Sequence, residues 1–174
     1  MQTLNRSMKF KLSVLPIALL TVGCAPERLS TGKVGSIDPA FNSYIAIFES
    51  MYGAKVTDID FSFKDLSRPV IGQCSILTTT YGKTKRIQVD PTYWNDEHTS
   101  EHQKVGLIFH EIGHCFLNRP HTEDKMYYAP EGLSFMVKIP SSIMYPYNFY
   151  SSFYEPLKAY YYTELINPET RKSE

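Results

Sequence analysis

The chain has 174 residues, of which 43% are hydrophobic and 14% are aromatic, and its formal net charge at pH 7 is zero. That length suits one domain with its own hydrophobic core and is short for two, while the composition excludes a disordered chain. No basic stripe runs through the sequence, which argues against a nucleic-acid-binding surface.

The N-terminus is typical of a targeting signal. Lys9 and Lys11 precede residues 12–23, an apolar run that is too short to span a bilayer and that suits the hydrophobic part of a signal peptide. We therefore expect residues 1–23 to be a signal peptide that is removed on export.

The signal ends in the sequence LTVGC at residues 20–24, which resembles the lipobox of bacterial lipoproteins. The resemblance implies cleavage before Cys24, a lipid on that cysteine and a tether over residues 24–37. The protein would then be held at the periplasmic or outer surface of a bacterial cell envelope, and it would contact the membrane through its lipid anchor only. The alternative is a secreted protein that is cut nearby and carries no lipid.

The first predicted element of the globular part is a helix over residues 38–51. Asp38 can cap this helix, and Gly53 ends it. Segments rich in β-branched and aromatic residues then predict three strands, and the Gly82-Lys83 step suits a hairpin turn between the last two. The predicted strands are residues 56–63, 70–81 and 85–89.

The most regular pattern in the chain is an amphipathic helix with an apolar stripe between residues 105 and 116. Ser100 and Gln103 form a capping box at its start. Beyond residue 121 the sequence favours an irregular segment with several prolines, and mostly helical spacing returns over residues 151–166.

The long helix carries the sequence HEIGH at residues 110–114. His110 and His114 lie four residues apart, so that both imidazoles point from one helix face, and Glu111 completes the H-E-x-x-H zinc motif of metallopeptidases. Neutral imidazoles are good ligands for Zn²⁺, and catalytic zinc sites use three protein ligands with a water in the fourth position. Glu111 would be the base that takes a proton from this water.

This motif resembles that of the metzincins, H-E-x-x-H-x-x-G-x-x-H, which is followed later in the chain by a methionine turn. The third histidine is displaced by one residue here, because Pro120 stands where that family has His, and His121 follows it. Asn118 tolerates the left-handed backbone conformation of the family's glycine, and it precedes His121 by the same three residues. The resemblance therefore implies His110, His114 and His121 as the zinc ligands.

Residues 142–146, with the sequence SIMYP, resemble the methionine turn of matrixins and astacins. By this resemblance Met144 forms an apolar floor beneath the metal, and Tyr147 could donate a hydrogen bond near the zinc or form a wall of the substrate pocket. The implied fold is α+β and zincin-like, with a twisted mixed sheet, an active-site helix and a small C-terminal helical subdomain. An edge strand pairs with extended substrate in metzincins, and residues 85–89 are the expected edge.

The resemblance implies a zinc metalloendopeptidase domain over residues 38–170, which hydrolyses peptide bonds at the cell envelope with Zn²⁺ as cofactor and a protein or peptide as substrate.

One alternative is a noncatalytic zinc-binding envelope lipoprotein, although an intact Glu111 argues for catalysis. The other is a gluzincin-like peptidase in which a downstream acid replaces His121 as third ligand. Its candidates are Glu131, Glu155, Glu164 and, more remotely, Asp124. His98 and His102 are also four apart, but they lie in a polar segment where solvation is expected.

The cysteines suit an exported protein. With Cys24 lipidated, Cys74 and Cys115 remain as an even pair in an oxidising compartment. A disulfide between them would join the zinc helix to a predicted strand and close a loop of about forty residues, contributing about 3–4 kcal/mol to stability. Two buried free thiols are the alternative. Cys115 is not an expected metal ligand, because it lies about 100° around the helix from His114.

Overall fold

The computed structural model describes residues 35–80, 82–132, 134–147 and 153–172, with only the backbone of Thr79. The predicted signal peptide, Cys24 and the tether up to residue 34 lie outside the described residues. All described residues belong to one compact unit. None of their helices is both long and apolar enough to span a bilayer.

The described residues form an α+β fold, as predicted, with a mixed sheet, a long helix packed on it and a C-terminal helix. The helices are α1 (Asn42–Tyr52), α2 (Pro91–Trp94), α3 (Glu101–Cys115) and α4 (Tyr154–Ile166), with 3-10 turns at Pro39–Phe41 and Pro168–Thr170. The strands are β1 (Ile59–Phe63), β2 (Gly72–Thr79), β3 (Gly82–Val89), β4 (Lys125–Tyr128) and β5 (Val137–Pro140).

The larger sheet has the strand order β1-β3-β2, with β1 parallel and β2 antiparallel to β3. Since β3 lies in the centre, the prediction that residues 85–89 form an edge strand is wrong. The edges of this sheet are β1 and β2. The hairpin places β2 on one side of β3, and β1 adds on the other side, a choice that the alternation of residues within one strand does not reveal.

The predicted first helix is confirmed, with a 3-10 turn at its start. Asp38 accepts a hydrogen bond from the Ala40 N–H, and the chain leaves α1 at Gly53 with φ of 80°, a left-handed conformation that glycine adopts without steric cost. The apolar face of this helix is buried in the core through Phe41, Tyr44, Ile45 and Phe48.

The strands differ from their predicted bounds. Asp58 has φ of 62°, which interrupts the extended backbone just before β1 begins. Thr79 pairs with Gly82, so that Gly82 and Lys83 lie in β3 and not in the hairpin turn. The segment expected to be irregular contains the antiparallel pair of β4 and β5. These short strands carry too few alternating residues to be distinguished from a loop in the sequence.

Helix α3 is fixed at both ends. The Ser100 side chain accepts from the Gln103 N–H while the Gln103 side chain accepts from the Ser100 N–H, so the predicted capping box is present. At the other end the Lys85 ammonium on β3 donates to the Cys115 carbonyl at 2.7 Å, a favourable position for a cation near a helix C-terminus. The buried face of α3 includes Leu107, Ile108, Phe109 and Ile112.

Candidate metal centre

Three histidine side chains converge near the C-terminal end of α3. His110 and His114 come from the helix, and His121 comes from the segment that follows it. Their Nε2 atoms form a triangle in which each pair is 3.0 Å apart. Within the described residues they form a group that could bind a metal ion. These are the three histidines that the sequence motif singled out.

The turn that brings His121 back toward α3 is centred on Asn118, which has φ of 54°. Asn tolerates this left-handed conformation better than most residues because its short polar side chain can hydrogen-bond locally. The Arg119 N–H donates to the Gly113 carbonyl at 2.9 Å, which closes the turn. The left-handed conformation predicted for Asn118 is confirmed, and it explains how His121 reaches the cluster.

Hydrogen bonds from the far ring nitrogens fix two of the histidines. The Nδ1–H of His110 donates to the Ile143 carbonyl at 2.8 Å, and that of His114 donates to the Arg119 carbonyl at 2.6 Å. With the proton on Nδ1, each Nε2 presents a lone pair to the cluster. Burial lowers the pKa of His110 to about 4 and also lowers the pKa of His114, so both rings are neutral at pH 7.

The donor set of this cluster fits a metal ion. Lone pairs 3.0 Å apart repel one another unless a cation or a proton lies between them. The lowered pKa values of His110 and His114 disfavour a proton, whereas a metal ion would accept one lone pair from each ring. Hydrogen bonds from Nδ1 to backbone carbonyls are also the ones that metal-ligating histidines commonly make.

Glu111 lies on α3 next to His110, and only 4% of its surface is exposed. The Cys74 N–H donates to its carboxylate, while Oε2 is buried and has no hydrogen-bond partner among the described residues. Burial raises the pKa of Glu111 to about 8, and the Cys74 hydrogen bond opposes this shift. A cation at the histidines would oppose it further. Oε2 can therefore accept a hydrogen bond or a proton from a small ligand.

Strand β2 approaches the side chains of α3 closely at Gly72. A Cβ at this position would lie 2.7 Å from Glu111 Oε1 and 2.7 Å from Leu107 Cδ1. Any side chain here would therefore push the carboxylate away from β2. No motif marks Gly72 in the sequence, although a glycine inside a predicted strand is itself a signal of close backbone approach.

Met144 is fully buried against α3, where a Cβ on Gly113 would lie 2.5 Å from its Sδ. Its N–H donates to Ser142 Oγ at 3.0 Å, and its carbonyl accepts from the Thr122 N–H at 3.0 Å. The turn around Met144 thus contacts the segment that carries His121. That Met144 forms the floor beneath a bound metal stays a prediction.

Gly113→Ala should destabilise the protein, although Ala is normally preferred to Gly by about 1 kcal/mol inside a helix. The new methyl group would collide with the Met144 sulfur, and overpacking of this kind costs about 1–3 kcal/mol. Urea unfolding of the metal-free chain measures the change. In a Met144→Ala background the collision is relieved, so the same substitution should cost less than about 0.5 kcal/mol. If Gly113→Ala lowered stability equally in both backgrounds, the collision with Met144 would not be the cause.

The three histidines and Glu111 line one cleft with a volume of about 1140 Å³. Edge strand β2 forms part of its wall through Gly72, Gln73 and Cys74. Most other lining side chains are apolar, among them Val70, Ile71, Ile76, Leu107, Ile143 and Tyr145. Tyr147 also lines the cleft and is 64% exposed. Its contact with a metal or a substrate stays a prediction.

A disulfide joins Cys74 on β2 to Cys115 at the end of α3, which confirms the predicted pair. Cys74 also supplies the N–H that bonds to Glu111, and Cys115 directly follows His114. The disulfide therefore links the cleft's edge strand covalently to the helix that carries two of the histidines.

The other candidate ligands lie outside the histidine cluster. Glu164 is fully buried and pairs with Arg119 at 2.7 Å, and Glu155 pairs with His102 at 2.7 Å. Each carboxylate is thus directed to a different partner, which gives no support to a downstream Glu as third ligand. The remaining candidates are solvent-exposed: His98, Asp124 and Glu131.

The sequence does not indicate the buried ion pairs behind the cluster. Arg119 and Glu164 have side chains that are 6% and 0% exposed, and Arg171 joins them from the C-terminal segment. Neither a motif nor a periodic pattern marks these residues. Their proximity arises from the packing of α4 against the end of α3, which is not encoded locally.

The functional interpretation depends on this geometry and on the residues of the motif. Comparisons with known proteins find no match, whether among protein-family models, curated proteins or solved structures.

Proposed function

We propose that this protein is a zinc-dependent endopeptidase of the metzincin type, which hydrolyses peptide bonds in proteins. The observation that carries the proposal is that three imidazole Nε2 atoms converge in the same open cleft as a buried carboxylate oxygen without a partner among the described residues. Structural zinc sites almost always have four protein ligands, whereas catalytic sites have three and keep one position open. The described residues supply three here.

Zinc is the proposed ion because the ligands are all imidazoles. Zn–N bonds of about 2.0–2.1 Å in a tetrahedral site place the ligand nitrogens roughly 3.3 Å apart, close to the 3.0 Å between each pair of Nε2 atoms. Calcium and magnesium prefer oxygen ligands. Other transition metals also bind imidazole, so identification of the metal forms part of the test.

Zinc, when bound, polarises a carbonyl and lowers the pKa of a water molecule at the site. The chain supplies the proton acceptor. The Cys74 N–H holds the Glu111 carboxylate against β2, while Oε2 has no hydrogen-bond partner among the described residues, and Glu111 lines the cleft. Glu111 would take a proton from the attacking water and deliver it to the amine that leaves. The carbonyls of Ile143 and Arg119 keep the rings of His110 and His114 in place.

The proposed substrate is an extended peptide with apolar side chains. Strand β2 pairs with β3 on one side and is an edge of its sheet, and it lines the cleft beside the histidines. An extended peptide can add to such an edge through backbone hydrogen bonds. The cleft walls are largely apolar around Leu107 and Ile143, which favours apolar side chains next to the scissile bond.

We further propose that the domain acts at a bacterial cell envelope, where a lipid on Cys24 tethers it. The signal-like N-terminal sequence and the lipobox resemblance support this location. The disulfide between Cys74 and Cys115 supports an oxidising compartment.

The purified full chain should contain one zinc ion and should cleave a peptide library. His110→Ala, His114→Ala and His121→Ala should each lower zinc affinity, because each removes one of three ligands. Elemental analysis measures the metal, and mass spectrometry of new peptide N-termini measures the cleavage. Removal of the metal with a chelator should stop cleavage, and added Zn²⁺ should restore it.

The matched control is the pair His98→Ala and His102→Ala, which removes histidines of the same spacing outside the cluster. These variants should keep full zinc content and activity. A wild-type chain that binds zinc and cleaves no peptide would support the noncatalytic alternative. A chain that binds no transition metal would exclude both proposals.

A further inference from the structure

A buried ion-pair network lies behind the three histidines, and its centre is Glu164 on α4. The Glu164 side chain is fully buried. Its Oε1 accepts from the Arg119 guanidinium at 2.7 Å and from Arg171 Nε at 2.9 Å, and its Oε2 accepts from Ser142 Oγ at 2.6 Å. One carboxylate thus joins three segments that are distant in the sequence.

The first branch of this network leads to His114. The Arg119 guanidinium also donates to the carbonyls of Glu164 and Leu165 at 2.6 and 2.8 Å, so the side chain is held at several points. The carbonyl of the same arginine accepts the Nδ1–H of His114. The orientation of the His114 ring therefore depends on where Arg119 is held.

The second branch leads to His110. Ser142 Oγ donates to Glu164 and accepts from the Met144 N–H. Between Ser142 and Met144 lies Ile143, whose carbonyl accepts the Nδ1–H of His110. Glu164 thus fixes the turn that orients the His110 ring.

The third branch leads to His121. Arg171 Nη1 donates to Thr122 Oγ1 at 3.1 Å and to Asp124 Oδ2 at 2.9 Å. Thr122 directly follows His121, and its N–H donates to the Met144 carbonyl. His121 itself is exposed, so the segment around it is held largely by these neighbours.

We propose that Glu164 is a positioning residue that orients all three histidines, and that Arg171 in the C-terminal segment connects Glu164 to the segment that carries His121. The inference rests on the proposed metal centre. Buried ion pairs often contribute no more stability than apolar residues of the same volume, because desolvation of the charges opposes their attraction. Stability alone therefore does not account for this network, whereas the orientation of metal ligands depends on such outer contacts.

The decisive variant is Arg171→Met, which keeps an apolar stem of similar length and removes the donors to Glu164, Thr122 and Asp124. Its Zn²⁺ affinity, measured on the full chain by competition with a chelating dye, should fall about tenfold, the lower end of the range for outer-shell partners of metal ligands. The visible absorption bands of bound Co²⁺ should shift, because the ligand geometry changes.

Lys172→Met is the matched control, since it removes the same charge one residue further on, where the ammonium lies over the Tyr160 ring. It should leave Zn²⁺ affinity within about twofold of wild type. Glu164→Gln should lower the affinity by about ten- to a hundredfold, because it weakens all three branches. Should Glu164→Gln fail to fold, Arg171→Met still decides the question.

A double-mutant cycle with His121→Ala separates positioning from a general effect on the fold. If Arg171 acts through His121, Arg171→Met should change the residual Zn²⁺ affinity of the His121→Ala chain by less than about twofold. An equal loss in both backgrounds, or wild-type affinity in Arg171→Met, would overturn the inference while the metal centre stands. A wild-type chain without zinc binding would overturn the metal centre and this inference together.

Discussion

Glu111→Gln should abolish most of the peptidase activity and leave the zinc in place. The amide has the same shape and can still accept from the Cys74 N–H, but it can no longer take up a proton. Loss of a positioned general acid–base group typically lowers kcat by about 10²- to 10⁴-fold. Because Glu111 is not one of the three clustered ligands, zinc content should remain one ion per chain. The measurements are steady-state peptide cleavage and elemental analysis of the same samples.

Glu155→Gln is the matched control for this prediction. It removes one carboxylate from α4, where Glu155 pairs with the exposed His102, and it should change neither kcat nor zinc content. The control also tests Glu155 as the third ligand of the gluzincin-like alternative. Loss of zinc from Glu111→Gln would show that the residue supports the metal instead of the proton transfer. Activity within about threefold of wild type would show that Glu111 is not the base.

The features that the sequence predicts well are those with a local cause. The face shared by His110 and His114 follows from helical periodicity, and the turn at Asn118 follows from the conformational preference of a single residue. The capping box at Ser100 and the helix end at Gly53 also depend only on neighbours. For this reason the sequence alone predicts the cluster of histidines.

The features that the sequence does not predict depend on contacts between distant segments. Whether a strand lies at the edge or the centre of a sheet depends on its neighbours, so the sequence wrongly predicts β3 at the edge and does not indicate that β2 lies there. Glu164 meets Arg119 across forty-five positions of the chain. A charged residue on a helix is usually solvated, and only the packing of α4 shows that this one is buried.

The disulfide between β2 and α3 is predicted only in part by the sequence. The cysteine count predicts a pair, whereas the fold shows which elements the pair connects. Replacement of Cys74 and Cys115 by alanine should lower the free energy of unfolding by about 4 kcal/mol, because the disulfide spans 41 residues and restricts the unfolded chain. With a urea slope of about 2 kcal/mol/M, the midpoint should fall by roughly 2 M. The measurement is urea unfolding with chelator present, so that metal binding does not contribute.

Reduction supplies the matched control for this prediction. A thiol reductant should lower the midpoint of the wild-type chain to that of the double variant, and it should leave the variant unchanged, because the variant lacks the disulfide that the described residues contain. Loss of the disulfide should also affect the cleft, since β2 carries the Cys74 N–H that holds Glu111 and Cys115 follows His114. A variant that unfolds within about 1 kcal/mol of oxidised wild type would show that α3 and β2 are held by packing alone. In that case the zinc affinity of the double variant decides whether the disulfide has another role. A fall in zinc affinity without a fall in stability would show that the disulfide positions the site.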